Sequence, residues 1–317
     1  MVKKIAGDQV TYCVDLFSVH EEADTRIILH ALHADEQFGK SSVKGRIIIK
    51  CSDTDVLVLC VHYYPRMQNT DQLWLLMGSV TSIKDGKRYI PVHDLCSSLS
   101  SITCEILPAV HALTGCDTIS AIFGIGKKSV FKLINSSSAE LSDLSQLKDP
   151  DLESSICVAR KVVAKLYDPK AKYKSCHTNL NKLRVRLATS KDCSLVRIPQ
   201  SESAFKQHVL RASIQTKTWM TSHQAKPPVA SPYDYGWQKG SNGPTPILFS
   251  GLMSSDFLQD LICSCKGRKI CSRECVCYEQ NLCCTELCPC QGSDLCLNII
   301  TSQQNPDDDD EEAASDD

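Results

Sequence analysis

The apolar positions of residues 11–135 follow two periods in turn. Between Ser18 and Ala34, Val19, Ala23, Ile27 and Ala31 recur at every fourth place, the spacing of one helix face. Arg46 to Cys51 is a mostly apolar run with Ile47, Ile48 and Ile49 at its centre, which predicts a buried strand. Val56 to Val61 is just as apolar, and its pattern fits a helix or a strand. Leu73 to Met77 predicts a short strand, and Arg88 to Val92 another, which Pro91 assigns to a sheet edge. Helices are expected near His93–Leu99 and Ile106–Leu113. Such alternation predicts an α/β fold with a largely parallel sheet and flanking helices.

Residues 136–260 are more polar and predict a helical and irregular connecting region. Its best helices are Leu152–Tyr167 and Ser201–Met220. His208 and Arg211 share a face of the second, and a solvated face accounts for them. Lys226 to Pro246 is rich in Pro, Gly and Ser and carries Tyr233, Tyr235 and Trp237, as an irregular linker or an arm would. A cysteine-rich module spans 261–298. The last segment, 299–317, ends in the acids Asp307 to Glu312, Asp316 and Asp317 and is expected to be a disordered solubilising tail.

Composition changes this picture in one place. The 317 residues are 42% hydrophobic and 23% charged, the balance of a water-soluble globular chain. No apolar run approaches the roughly 20 residues that span a bilayer, so no membrane partner is expected. The lysines at the start have no apolar stretch behind them, unlike a secretory signal. Against that background 19 cysteines stand out. Ten of them lie between Cys263 and Cys296. In a reducing compartment such a cluster indicates metal rather than disulfides. Net charge is −2, but the acidic tail hides a mildly basic body, which is compatible with nucleic-acid contact.

The cysteine spacing repeats. Cys263-x-Cys265 is followed after five residues by Cys271. Cys275-x-Cys277 is followed after five by Cys283 or after six by Cys284. Cys288-x-Cys290 is followed after five by Cys296. Three units thus offer nine thiolates. Zinc takes four tetrahedral ligands, so nine thiolates serve three ions only if three cysteines each bridge two of them. Two isolated four-cysteine sites with spare thiols are the alternative. So short a segment, poor in apolar side chains, depends on metal for most of its folding energy.

The string CSCKGRKICSRECVCYEQNLCCTELCPCQGSDLCLN resembles the tesmin-type CXC domain of certain chromatin and DNA-binding proteins. The resemblance implies three zinc ions held by Cys263, Cys265, Cys271, Cys275, Cys277, Cys284, Cys288, Cys290 and Cys296. Repeat spacing favours Cys283 as the sixth ligand, whereas the family pattern favours Cys284. The family also implies DNA binding, chromatin partners and a nuclear location. Its groove-reading tyrosine is replaced here by Glu274, which leaves Lys266, Arg268, Lys269 and Arg273 as a phosphate-contacting set. A zinc knot serving protein contacts is the structural alternative.

Three short acidic motifs lie in the α/β region. His20-Glu21-Glu22-Ala23-Asp24 opens a helix, with Ser18 and Glu21 spaced as a capping box. Ser52-Asp53-Thr54-Asp55 follows a strand, where Asp53 suits a cap. Thr114-Gly115-Cys116-Asp117 precedes Gly124-Ile125-Gly126-Lys127-Lys128. Singly, each has such a structural explanation. Their order resembles the flap-endonuclease branch of the PIN-like nucleases over roughly residues 15–135. That resemblance implies Mg²⁺ or Mn²⁺ held by Glu22, Asp24, Asp53, Asp55 and Asp117, and two-metal phosphodiester hydrolysis. It also implies a DNA-backbone loop at Gly124, Gly126, Lys127 and Lys128. The family's further acid on a first strand has no counterpart, since Asp8 and Asp15 are the only acids before His20 and neither follows a buried strand. Three functional readings follow. The first is a nucleic-acid-associated protein with a PIN-like domain, active or not, joined to a zinc module. The others are an active structure-specific nuclease and a chromatin scaffold.

Overall fold

The structure is a computed structural model. It describes residues 2–78, 88–148, 152–189 and 197–250. In the cysteine-rich part it describes 265, 271, 275–279, 283, 284, 288, 290 and 296–298. The chain divides into two units, Met1–Phe249 and Ser250–Asp317.

The first unit opens with a hairpin of β1 (Lys3–Ala6) and β2 (Gln9–Tyr12), paired antiparallel. Its two-residue turn needs a positive φ, which Gly7 supplies at +60°. The hairpin joins no other strand among the described residues. Helix α1 spans Ala23–Lys40 and starts later than the apolar spacing predicted. Tertiary contacts hold the preceding residues extended. The Val19 N–H donates to the Ala225 carbonyl at 3.1 Å, and the His20 imidazole bonds to the Gln224 carbonyl at 2.6 Å. The Ser18–Glu21 capping box therefore does not form, and Glu22 is the N-cap. Further along α1 the buried Asp35 carboxylate accepts from the backbone of Gln68 and Asn69 and from Thr70 Oγ1. That pins the helix to the start of β4 (Thr70–Met77).

The sheet is smaller and less parallel than the alternation predicted. Strand β3 (Gly45–Lys50) runs parallel to β4, and β5 (Arg88–Pro91) runs antiparallel to it, in the order β3-β4-β5. A parallel return needs a crossover of a dozen residues or more. Met77 and Arg88 are too close in sequence for one, so β5 turns back. Pro91 does lie on an edge strand. So does β3, which is not the buried strand predicted: Ile49 faces the core while Ile48 is 54% exposed.

The ambiguous run after β3 is α2 (Thr54–Tyr63). Every residue from Asp55 to Tyr63 except Leu57 is buried. A helix covered on all sides loses the polar stripe that would mark its period. Helix α3 is Val92–Ser98, and α4 is Ser101–Thr114, capped by Ser100 Oγ on the Thr103 N–H at 3.0 Å. Helix α4 stops at Gly115, where φ is +112° and an added Cβ would stand 2.5 Å from Ala121 Cα. Then come α5 (Lys127–Ser137) and a 3₁₀ segment, Ser138–Lys148. Three residues per turn align Leu141, Leu144 and Leu147 on one buried face.

Helices α6 (Leu152–Tyr167), α7 (Leu180–Ala188) and α8 (Glu202–Met220) follow. One core runs through the whole unit, from Ile28, Leu59 and Leu73 to Phe205 and Trp219. The Tyr63 hydroxyl donates to the Trp219 carbonyl at 3.0 Å, tying α2 to α8. Along α8 the expectation of a solvated face fails. His208 is 2% exposed and bonds to the Leu113 carbonyl at 2.7 Å. Arg211, also buried, donates to the carbonyls of Gly236 and Ile247 at 3.0 and 2.7 Å. Those bonds organise the segment read as an irregular linker, which contains a hairpin of β6 (Trp237–Gly240) and β7 (Gly243–Pro246). Among the described residues, no helix is long and apolar enough to cross a membrane.

Candidate acidic centre and cysteine cluster

The acidic motifs come together at the ends of three helices. Glu22 stands at the N-cap position of α1 without a side-chain cap bond, and Asp24 lies in the first turn. Asp53 follows β3 and caps α2, its Oδ1 accepting the Asp55 N–H at 2.8 Å. Asp117 lies in the exposed turn after α4. Burial, then the charges of Asp53, Asp55, Glu22 and Asp117, push the Asp24 carboxyl up to about 6 from an ordinary 3.8. All four other acids thus act on Asp24. The positive ends of the α1 and α2 dipoles offset part of the crowding. The group is open rather than closed. Among the described residues, the sets whose ligand atoms all lie within 4.8 Å of one another are cysteine sets.

Two residues that sequence reading missed organise this centre. His111, from the last turn of α4, bonds through Nε2 to Asp55 Oδ1 at 2.8 Å, and both side chains are nearly buried. Trp219 lies against the imidazole, 5.8 Å between centroids. Gln215 of α8 donates from Nε2 to both Glu22 oxygens, at 3.1 and 3.2 Å, and its Oε1 accepts from Thr118 Oγ1 at 2.8 Å. One neutral amide therefore links the Asp117 turn to the α1 terminus. Nothing local marks it, since 193 residues separate Gln215 from Glu22.

The loop before α5 is exposed at Gly124, Gly126 and Lys128. Gly124 has φ +74°, which favours glycine. Lys127 is exposed as well and makes bonds that its spacing did not predict. Its ammonium donates to the His111 and Gly115 carbonyls and to Thr114 Oγ1, so it caps the C-terminus of α4. Burial lowers the affinity of this amine for its proton.

In the second unit every described cysteine is a thiol without a disulfide. Three sets place their sulfurs within 4.8 Å: Cys271 with Cys284, Cys290 and Cys296; Cys265 with Cys271 and Cys275; Cys275 with Cys277 and Cys284. Each pair of sets shares one residue, and the shared residues are Cys271, Cys275 and Cys284. Cys288 Sγ lies 3.7 Å from Cys277 Sγ. A tetrahedron with metal–sulfur bonds of about 2.3 Å has edges of about 3.8 Å, so the spacing fits a metal. Cys284 is buried and stands in two sets, whereas Cys283 is half-buried and stands in none. Burial and the neighbouring Cys288 thiol push Cys277 up to about 12, and burial pushes Cys284 up as well. Cys263, Lys266, Arg268, Lys269 and Arg273 lie outside the described residues.

No family model, curated protein or solved structure matches this chain.

Proposed function

We infer that this chain acts on nucleic acid, joining a divalent-cation site for phosphodiester hydrolysis in its first unit to a zinc–thiolate module in its second. The carrying observation is the convergence of Glu22, Asp24, Asp53, Asp55 and Asp117 from three separate segments, with Asp24 pushed up to about 6. Clustered carboxylates repel one another, and a hard cation relieves that repulsion. Bound Mg²⁺ or Mn²⁺ would supply an acidified water and a counter-charge for the leaving oxygen. The chain's own part is orientation. His111 fixes one Asp55 oxygen, and Gln215 holds both Glu22 oxygens. The exposure of Gly124, Gly126 and Lys128 supports a phosphate contact there, while Lys127 bonds to the end of α4.

In the second unit the three shared cysteines support a cluster of three zinc ions. Cys288, whose Sγ lies 3.7 Å from Cys277 Sγ, is the candidate fourth ligand beside Cys275, Cys277 and Cys284. Cys263 is the candidate fourth ligand beside Cys265, Cys271 and Cys275. Such sharing is what the resemblance to the CXC domain implies; DNA contact through Lys266, Arg268, Lys269 and Arg273, chromatin partners and a nuclear location rest on that resemblance alone. Native mass spectrometry of the full chain should find three zinc ions, and two would refute the shared cluster.

A second reading is a site that binds cation and nucleic acid without cutting. One observation favours it: among the described residues the sheet has three strands, and β1–β2 brings no further acid-bearing strand to it. Cleavage of flap and hairpin DNA with Mg²⁺ or Mn²⁺ tests both. Cleavage abolished by Asp53→Ala with Asp55→Ala supports the nuclease. Calorimetric Mn²⁺ binding that the same pair abolishes, without cleavage, supports the second reading. The absence of both binding and cleavage overturns both readings.

A further inference from the structure

Cys283 and Cys284 compete for one place in the cluster, and spacing alone does not choose between them. Neighbouring side chains on a non-helical backbone point in different directions, so one thiol facing the sulfurs turns the other away. Cys284 is the one turned in, at 6% exposure. Opposite it stands Asn298, two residues beyond Cys296, with its side chain 0% exposed. Asn298 Nδ2 donates to Cys284 Sγ at 3.4 Å. A buried amide is costly unless hydrogen-bonded. Asparagine satisfies that cost only against an acceptor fixed at the right place.

We propose that Asn298 selects Cys284 over Cys283 as the shared thiolate of the cluster, acting as a positioning residue that donates an N–H to the bridging sulfur. The inference rests on the zinc reading above. A metal-bound thiolate is purely an acceptor, so the amide nitrogen rather than its oxygen must face it. Nine thiolates outweigh three divalent cations in charge, and a donor at a sulfur offsets part of that excess without adding a competing ligand. The position is specific. Cys284 belongs with Cys296 to one sulfur set and with Cys275 and Cys277 to another. A donor attached just past Cys296 therefore clamps the sulfur that joins the two sets. Cys283, by contrast, is half-buried and belongs to none of the sulfur sets among the described residues.

Timed alkylation of the zinc-loaded full chain with peptide mapping reads the choice directly. Native mass spectrometry first establishes whether zinc is bound, and a wild-type chain without it overturns both the zinc reading and this one. With zinc present, Cys283 should label at least about tenfold faster than Cys284, and equal rates overturn the proposal while the zinc reading stands. Asn298→Leu keeps the branched shape and removes the donor. It should speed zinc transfer to a chelator by about 10- to 100-fold, the usual effect of losing a partner to a metal ligand. It should also bring Cys284 labelling up to the Cys283 rate. Asn298→Asp, which sets a like charge against the thiolate, should release zinc faster still. In the wild-type background Cys283→Ser should leave the zinc count unchanged, whereas Cys284→Ser lowers it. If Asn298→Leu transfers zinc at the wild-type rate and keeps Cys284 protected, the amide has no selecting role.

Discussion

The acidic centre and the cysteine cluster each gather ionisable groups of one kind, but they do so in opposite ways. In the first unit a continuous apolar core fixes the helices, and the acids ride on their ends. The fold positions the acids. In the second, the buried residues among those described are cysteines and Asn298, with Tyr278 packed beside them. A metal held by these thiols would supply most of the folding energy there. In the first arrangement burial, and then the charges of the neighbouring acids, raise the Asp24 carboxyl. The second holds buried thiols protonated until a cation replaces the protons.

The contrast is broken most forcefully by stripping zinc. Metal contributes about 10–16 kcal/mol to structural zinc modules. A strong chelator at neutral pH should abolish hydrogen-exchange protection in the cysteine module and leave that of α1, α2, α4 and α8 intact. Loss of protection in both units would mean that the first also depends on metal. The reverse experiment removes core from the first unit. Trp219→Ala should destabilise it by about 3–5 kcal/mol in denaturant melts, as large aromatic truncations do, without changing the zinc count.

A smaller effect sharpens the account of the acids. Gln215→Ala frees the Glu22 carboxylate and should weaken Mn²⁺ binding about 10- to 100-fold by calorimetry. The melting temperature should change far less than for Trp219→Ala. The smallest effect is in pH dependence. Asp24 holds its proton to about 6 when folded, against an ordinary 3.8, so the folded state binds more protons between those values. The contribution of Asp24 to stability should therefore be fully present below pH ~4, fall as pH rises toward about 6, and level off above. Asp24→Asn should flatten that fall in urea midpoints measured without divalent ions, and saturating Mn²⁺ should do the same to the wild type. An unchanged slope in Asp24→Asn would show that neither burial nor the neighbouring acids raise this carboxyl.

Helix α6 and strand β4 were legible because their patterns are local: an amphipathic period in one, a short apolar run in the other. Helix α8 was legible in extent and misread in surroundings, because the periodicity of its charged face cannot show that Arg211 is enclosed by the Gly236 and Ile247 carbonyls. The Ser18 capping box has the right spacing and loses to bonds that residues 19 and 20 make with residues 224 and 225. A helix nucleus is costly, so a tertiary competitor of that kind moves its start readily.

The sequence by itself determined which residues could carry chemistry: a threefold cysteine repeat, and acids placed after a strand and at helix starts. Both follow from short-range spacing, which the chain states directly. Tertiary structure alone decided how those residues are held. It put His111 on Asp55 and Gln215 on Glu22, turned the Lys127 ammonium into a helix cap, and set the Asn298 amide against Cys284 rather than Cys283. Hydrogen bonds between distant residues depend on where the packed core places each helix end, and no local pattern in the chain records that distance.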